Sequence, residues 1–113
     1  MATLQFSAVQ RNARISPTKT RPSANLIRGK RVEDALNILR FQVRRGSLIV
    51  RKALESAVAN AASVGGLDPM DLTVVDARVD SGMTIRRSRA ASRGRSAMRN
   101  KQCCHVTVAV AKI

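Results

Sequence analysis

The stretch TIRRSRAASRGRSAMRNK, residues 84–101, most constrains what this chain can fold into. It holds seven Arg or Lys, no acid and no aromatic residue, and the remainder is mostly Ala, Ser, Gly and Asn. Such a segment cannot bury enough apolar surface to offset the entropy of ordering it inside a core. Yet it is flanked by two strand-like segments, VVDARVDSG before it and HVTVAVAKI after it. It therefore reads as a β-hairpin standing out from a folded body. With residues 80–106 as arms and tip, about thirteen residues per arm at about 3.3 Å each carry the tip some 40 Å outward. A compact hundred-residue domain has a radius of gyration of about 13 Å. A ribbon of that reach has to be ordered by something it penetrates.

The rest of the charge pattern says what that something is. Residues 1–31 carry seven basic residues and no acid, residues 32–82 carry six basic and seven acidic, and residues 83–113 carry eight basic and no acid. The net charge of +14 is thus concentrated at two ends around a nearly neutral middle. This is the pattern of a folded body with dedicated polyanion-binding surfaces. An anionic membrane fits poorly, because the basic stretch offers only Ile85 and Met98 as sizeable apolar residues. No apolar run approaches the roughly 20 residues of a spanning helix. The opening MATLQFSAVQ has neither a basic region nor a long apolar one, so no secretory signal is visible and the chain reads as cytoplasmic.

The body reads as one α+β domain: three helices packed on a small three-stranded antiparallel sheet. Its 113 residues allow one modest core, and with two Phe and no Trp or Tyr that core must be aliphatic. In the first strand, TLQFSAVQ, Leu4, Phe6 and Ala8 alternate with polar positions. Ser16 followed by Pro17 marks a helix start, with Pro22 expected to kink the helix or restart it from Ser23, and Gly29 to end it. Val32, Ala35, Leu36 and Leu39 give a short amphipathic helix. Val50, Ala53, Leu54, Ala57, Val58 and Ala61 give the apolar stripe of the third, closed by Gly65 and Gly66. Two strands follow, with Thr73, Val75, Ala77 and Val79 expected on one face of the first, and Val106, Val108 and Val110 on one face of the last. The body is assigned to residues 1–80 and 106–113, and the extended hairpin to about 81–105.

RISPTKTR, NLIRGK, VEDALNILRF, ALESAVANAA, VVDARVDSG, IRRSRAASRGR and HVTVAVA occur in that order. Over about residues 9–113 the chain resembles the large-subunit ribosomal protein family numbered twenty-two in the bacterial series. The resemblance implies a structural constituent of the large ribosomal subunit. Its body would sit at the outer end of the polypeptide exit tunnel, with the hairpin running inward along large-subunit rRNA. It implies as partners that rRNA, neighbouring large-subunit proteins and the nascent polypeptide, with no membrane and no cofactor. The family's S-P-x-K-x-R block falls on Ser16, Pro17, Lys19 and Arg21, and its basic hairpin block on Arg86, Arg87, Arg89, Gly94 and Arg95. Together with the charge pattern this gives Arg11, Arg14, Ser16, Lys19, Arg21, Arg28 and Lys30 as expected rRNA contacts in the N-terminal block. In the hairpin the set is Arg86, Arg87, Arg89, Arg93, Gly94, Arg95, Arg99 and Lys101. Met83, Ser88, Ala90, Ala91 and Arg93 depart from the family's usual residues, and a common Tyr beyond Arg95 is missing, so the tip is less aromatic.

The expectation stands without the resemblance. Arg bridges phosphates bidentately, and small Ser, Ala and Gly keep a ribbon thin between RNA helices. Gly94 suits a turn needing positive φ or a close approach of backbone. Cys103, Cys104 and His105 are consecutive, whereas a zinc site needs about four ligands, usually in separated pairs. Neighbours on a strand also point to opposite faces, which counts against a Cys–His nucleophile pair. They read as ordinary strand residues, and no enzyme is expected. The alternative is a free-standing basic nucleic-acid-binding module, although no helix-turn-helix, zinc-finger or stacking-aromatic signature supports one.

Overall fold

The computed structural model describes residues 4–112. The elements run β1 (Gln5–Ala13), α1 (Pro17–Ile27), α2 (Val32–Phe41), α3 (Arg45–Gly65), β2 (Leu72–Ala90) and β3 (Ser96–Lys112). The three strands form one antiparallel sheet in the order β1-β3-β2. This is the α+β architecture expected from the sequence.

β3 is the central strand, so it bonds on both edges and its apolar run is the most buried of the three. Cys104, Val106, Val108 and Val110 face the helices and join one cluster with Ile27, Val32, Leu39, Val50, Leu54 and Leu72. The core is aliphatic, with Phe6 only flanking it and Phe41 exposed. Helices α1 and α3 cross closely at Gly46, where a methyl group would lie 3.2 Å from the Thr20 Cα. That is tighter than an ordinary side-chain contact, so a larger residue obliges the helices to give by a few tenths of an ångström.

Three expectations need correction. The helix does not restart after Pro22: α1 runs unbroken from Pro17 to Ile27 and Ser23 is buried inside it. Pro22 and Thr18 both lie on the exposed side, so the Thr18 carbonyl that loses its donor is left to water. Leu4 precedes β1 and is exposed, leaving Phe6 and Ala8 as the inward residues. In β2 the inward set is Leu72, Val74, Ala77 and Val79, with Thr73 and Val75 half-buried. A bulge between Val74 and Asp76 adds one residue to β2 and reverses the phase of the alternation.

β2 and β3 continue past the body as a paired ribbon, Thr84 opposite Gln102 through Ala90 opposite Ser96. The molecule is accordingly elongated, 63 × 26 × 21 Å, with a radius of gyration of 17.1 Å against about 13 Å for a compact domain of this size. A second bulge, between Ser81 and Thr84, marks where β2 leaves the body.

Candidate nucleic-acid interface

Cross-strand pairing sorts the hairpin's charges onto one face. Because side chains alternate along a strand, Ile85, Arg87 and Arg89 share a face with their partners Lys101, Arg99 and Ala97. The opposite face carries Thr84, Arg86, Ser88 and Ala90 against Gln102, Asn100, Met98 and Ser96. Four cations therefore stand on the first face and one on the second. Arg87 lies directly opposite Arg99, a pairing that destabilises an isolated ribbon and favours an anion between the two side chains. At the tip, Arg93 and Gly94 both take positive φ, +60° and +74°, and the Ala91 N–H donates to the Arg95 carbonyl at 2.7 Å. Glycine at this turn is the conformational requirement the sequence suggested. Arg93 and Arg95, on either side of Gly94, are both exposed.

The cationic face runs into the body without a break. Where the ribbon meets α1, Arg14, Ser16, Lys19, Arg45, Arg87, Asn100, Lys101 and Gln102 line a cleft of about 770 Å³. Five basic residues line it, with no acid among them. Ser16 has a second duty: as N-cap of α1 its Oγ accepts the Lys19 N–H at 3.4 Å, which fixes where Lys19 emerges.

The other expected contacts do not join this cleft. Arg21 donates from Nε to the Val79 carbonyl at 3.4 Å. Arg28 donates to the Ala77 carbonyl and, at 3.1 Å, to Oδ1 of Asn25. Both guanidinium groups thus tie α1 to β2. Lys30 extends from the turn after α1, whose backbone pairs with Val74 through the Gly29 N–H and the Lys30 carbonyl at 2.9 and 2.8 Å. Arg11 is exposed in β1, beside the irregularity between Gln10 and Ala13.

Sequence reasoning missed Arg44 and Arg45, which fell in the charge-balanced middle. The signal was there: two arginines open α3 with no acid in its first turn. Positive charge at a helix N-terminus opposes the helix dipole, so helix stability does not explain it. Arg44 and Arg45 also line a smaller cleft with Ile15, Lys19 and Gly46, joining the ribbon's cationic face to the α2–α3 connection.

Both cysteines are buried, Cys104 in the core with its Sγ 3.9 Å from Oγ1 of Thr20. Burial raises the Cys104 thiol above its ordinary 9.0, while the Thr20 contact pulls the other way. No described helix is long and apolar enough to cross a membrane. A model of the family described as ribosomal protein L22p/L17e matches residues 8–111.

Proposed function

The chain belongs to the ribosomal protein L22p/L17e family of structural ribosomal constituents, and we propose that it binds large-subunit rRNA, aids its assembly and lines the polypeptide exit tunnel with its hairpin. The observation that carries this reading is the sorting of hairpin charge: Arg87, Arg89, Arg99 and Lys101 on one face, Arg86 alone on the other. A ribbon surrounded by RNA would need cations on both sides, and a solvated loop would need no sorting. One cationic face and one face of Thr, Ser, Asn and Met suit a wall element, with phosphates behind and a moving chain in front.

The acid-free cleft at the root extends the same surface. Phosphates seated between Arg14, Lys19, Arg45, Arg87 and Lys101 relieve the mutual repulsion of those groups and fix the ribbon's direction relative to the body. The protein contributes charge neutralisation and shape in this role, with no reaction to catalyse. Neighbouring ribosomal proteins and the nascent polypeptide are its further partners, in cytoplasmic ribosomes.

Adjacent positions test the assignment of faces. A photo-crosslinking residue at Ala97 should capture rRNA, and one at Met98 should capture nascent chains on translating ribosomes washed in high salt. Capture of nascent chain from both positions, or from neither, would sink the two-faced wall. Release of the protein from large subunits in the wash would favour the free-standing nucleic-acid module.

A further inference from the structure

We infer that the root of the hairpin is a pH-sensitive joint: neutral His105 latches β3 to β1, and protonated His105 releases β1 and turns to Asp80 on β2. The inference goes beyond RNA binding and does not depend on it. His105 is the one histidine of the chain and is half-buried, so protons reach it. Its Nδ1 accepts the backbone N–H of Asn12 at 3.1 Å. A backbone N–H only donates, so the imidazole that holds this bond is the neutral form, with its proton on Nε2. A proton added at Nδ1 sets two donors against each other, and the bond is lost.

What the bond holds is an interruption of the sheet. Pairing of β1 with β3 runs in register from Gln5 to Gln10, lapses at Arg11 and Asn12, and resumes at Ala13 opposite Cys104. Asn12 takes a left-handed φ of +55° there, a conformation that persists in a non-glycine residue only when its surroundings fix it. Two residues on, Arg14 lines the cleft that also holds Arg87 and Lys101 of the ribbon. Releasing Asn12 therefore loosens the segment that seats Arg14 against the ribbon.

The second partner is already in place. Asp80 lies directly opposite His105, and cross-strand neighbours stand about 5 Å apart at Cβ. While the imidazole is neutral, the Asp80 carboxylate pairs instead with Arg78, Nε to Oδ2 at 3.6 Å. Gly82 leaves the ring space on that side, since a methyl group there would stand 3.2 Å from Cε1. The charged groups around His105 are Asp80 and Arg78 on β2 and Arg11, beside Asn12, on β1. On its own strand Cys103 and Thr107 share its face, and the helices pack on the other face, against Cys104 and Val106. An imidazolium set between a carboxylate and an N–H bonds the carboxylate.

The test is an NMR titration of the full chain, without RNA, from pH 7.5 to pH 5. Histidine is the side chain whose charge ordinarily changes in that interval, and carboxylates stay largely ionised. The Asn12 amide proton should move upfield with the same midpoint as the imidazole signals, and the Gly82 and Thr84 amides should move with it. Residual dipolar couplings of residues 84–101 relative to the body should differ between the two ends of the titration. Nuclear Overhauser effects from the ring to the Asp80 β-protons should strengthen toward pH 5. His105→Gln cannot take the proton, and in that variant the amide and coupling changes should disappear. An Asn12 signal that ignores the imidazole titration, or that still moves in His105→Gln, overturns the joint, and so do unchanged couplings. Ring-to-Asp80 effects that fail to strengthen overturn the transfer to β2. The wild-type titration decides alone should the variant fail to fold. No readout involves RNA, so failure of the joint and failure of the RNA-binding reading are distinguishable.

Discussion

His105 on β3 accepts a hydrogen bond at Nδ1 from the backbone N–H of Asn12 on β1, at 3.1 Å. Asn12 takes a left-handed φ of +55° within the irregularity between Gln10 and Ala13. On the other side, a methyl group at Gly82 would stand 3.2 Å from Cε1 of the same imidazole, within the β2 bulge between Ser81 and Thr84. One central-strand side chain thus spans both irregularities at the root of the hairpin. Bulges bend and twist strands, so His105 holds the shape from which the ribbon departs.

Replacing His105 with Ala removes the acceptor and leaves the Asn12 N–H to water. The expected destabilisation is about 1 kcal/mol, the net worth of one hydrogen bond. Urea unfolding should show a lower midpoint at unchanged m. An unmoved midpoint would mean that the two irregularities hold their shape without the imidazole.

Cys104 gives the fold an alkaline limit. Its thiol is raised by burial in the folded state above the 9.0 of an exposed cysteine. The folded state therefore holds its proton more tightly than the unfolded state. The corresponding stability is complete below about pH 9 and disappears as pH rises from there through the folded-state value. Urea midpoints at pH 8 and pH 10, compared between wild type and Cys104→Ala, isolate this contribution. The variant should lose less stability across the interval than wild type does; equal losses would remove Cys104 as the cause.

Those two groups show where sequence reading stops. The order of helices and strands was legible because apolar residues recur at helical spacing in α2 and α3 and every second residue in β3. The face of β2 was not, because the extra residue at Val75 reverses its phase and nothing in TVVD advertises a bulge. Pro22 misled for a related reason: whether a proline breaks a helix depends on whether the freed carbonyl can reach water, which is a tertiary fact. At the site, the cationic hairpin and N-terminal block were plain in the charge pattern. Charge alone could not show that Arg21 and Arg28 reach strand carbonyls, or that Arg45 completes the cleft from a distant segment.

The sorting of hairpin charge predicts unequal arginines. Arg87→Gln and Arg99→Gln each remove a cation from the crowded face. Each should therefore reduce the log–log salt slope of RNA binding by roughly 0.7 to 0.9 for every phosphate the variant no longer neutralises. Arg86→Gln, on the opposite face, should leave the slope nearly unchanged. Fluorescence titration against one RNA over a range of salt concentrations reads all three. Equal slopes for Arg86→Gln and Arg87→Gln would mean that both faces reach phosphates.

Removing the ribbon separates what folds the protein from what it does. Every residue from Arg86 to Arg99 is exposed and none belongs to the core. Deleting them and joining Ile85 to Asn100 through one Gly leaves Gly-Asn as a two-residue turn between Ile85 and its partner Lys101, and should cost the body little stability by urea unfolding. Arg14, Lys19 and Arg45 remain at the root, so the trimmed protein should still enter large subunits, bound more weakly because it neutralises fewer phosphates. What disappears is the part proposed to line the tunnel. Cells carrying only the trimmed form should then differ in how stall-prone nascent peptides pass and in their response to drugs that bind the tunnel. Normal incorporation with unchanged stalling and unchanged drug response would remove the tunnel role and leave an RNA scaffold. Failure to enter the subunit at all would show instead that the ribbon's cations, and not the root, anchor the protein.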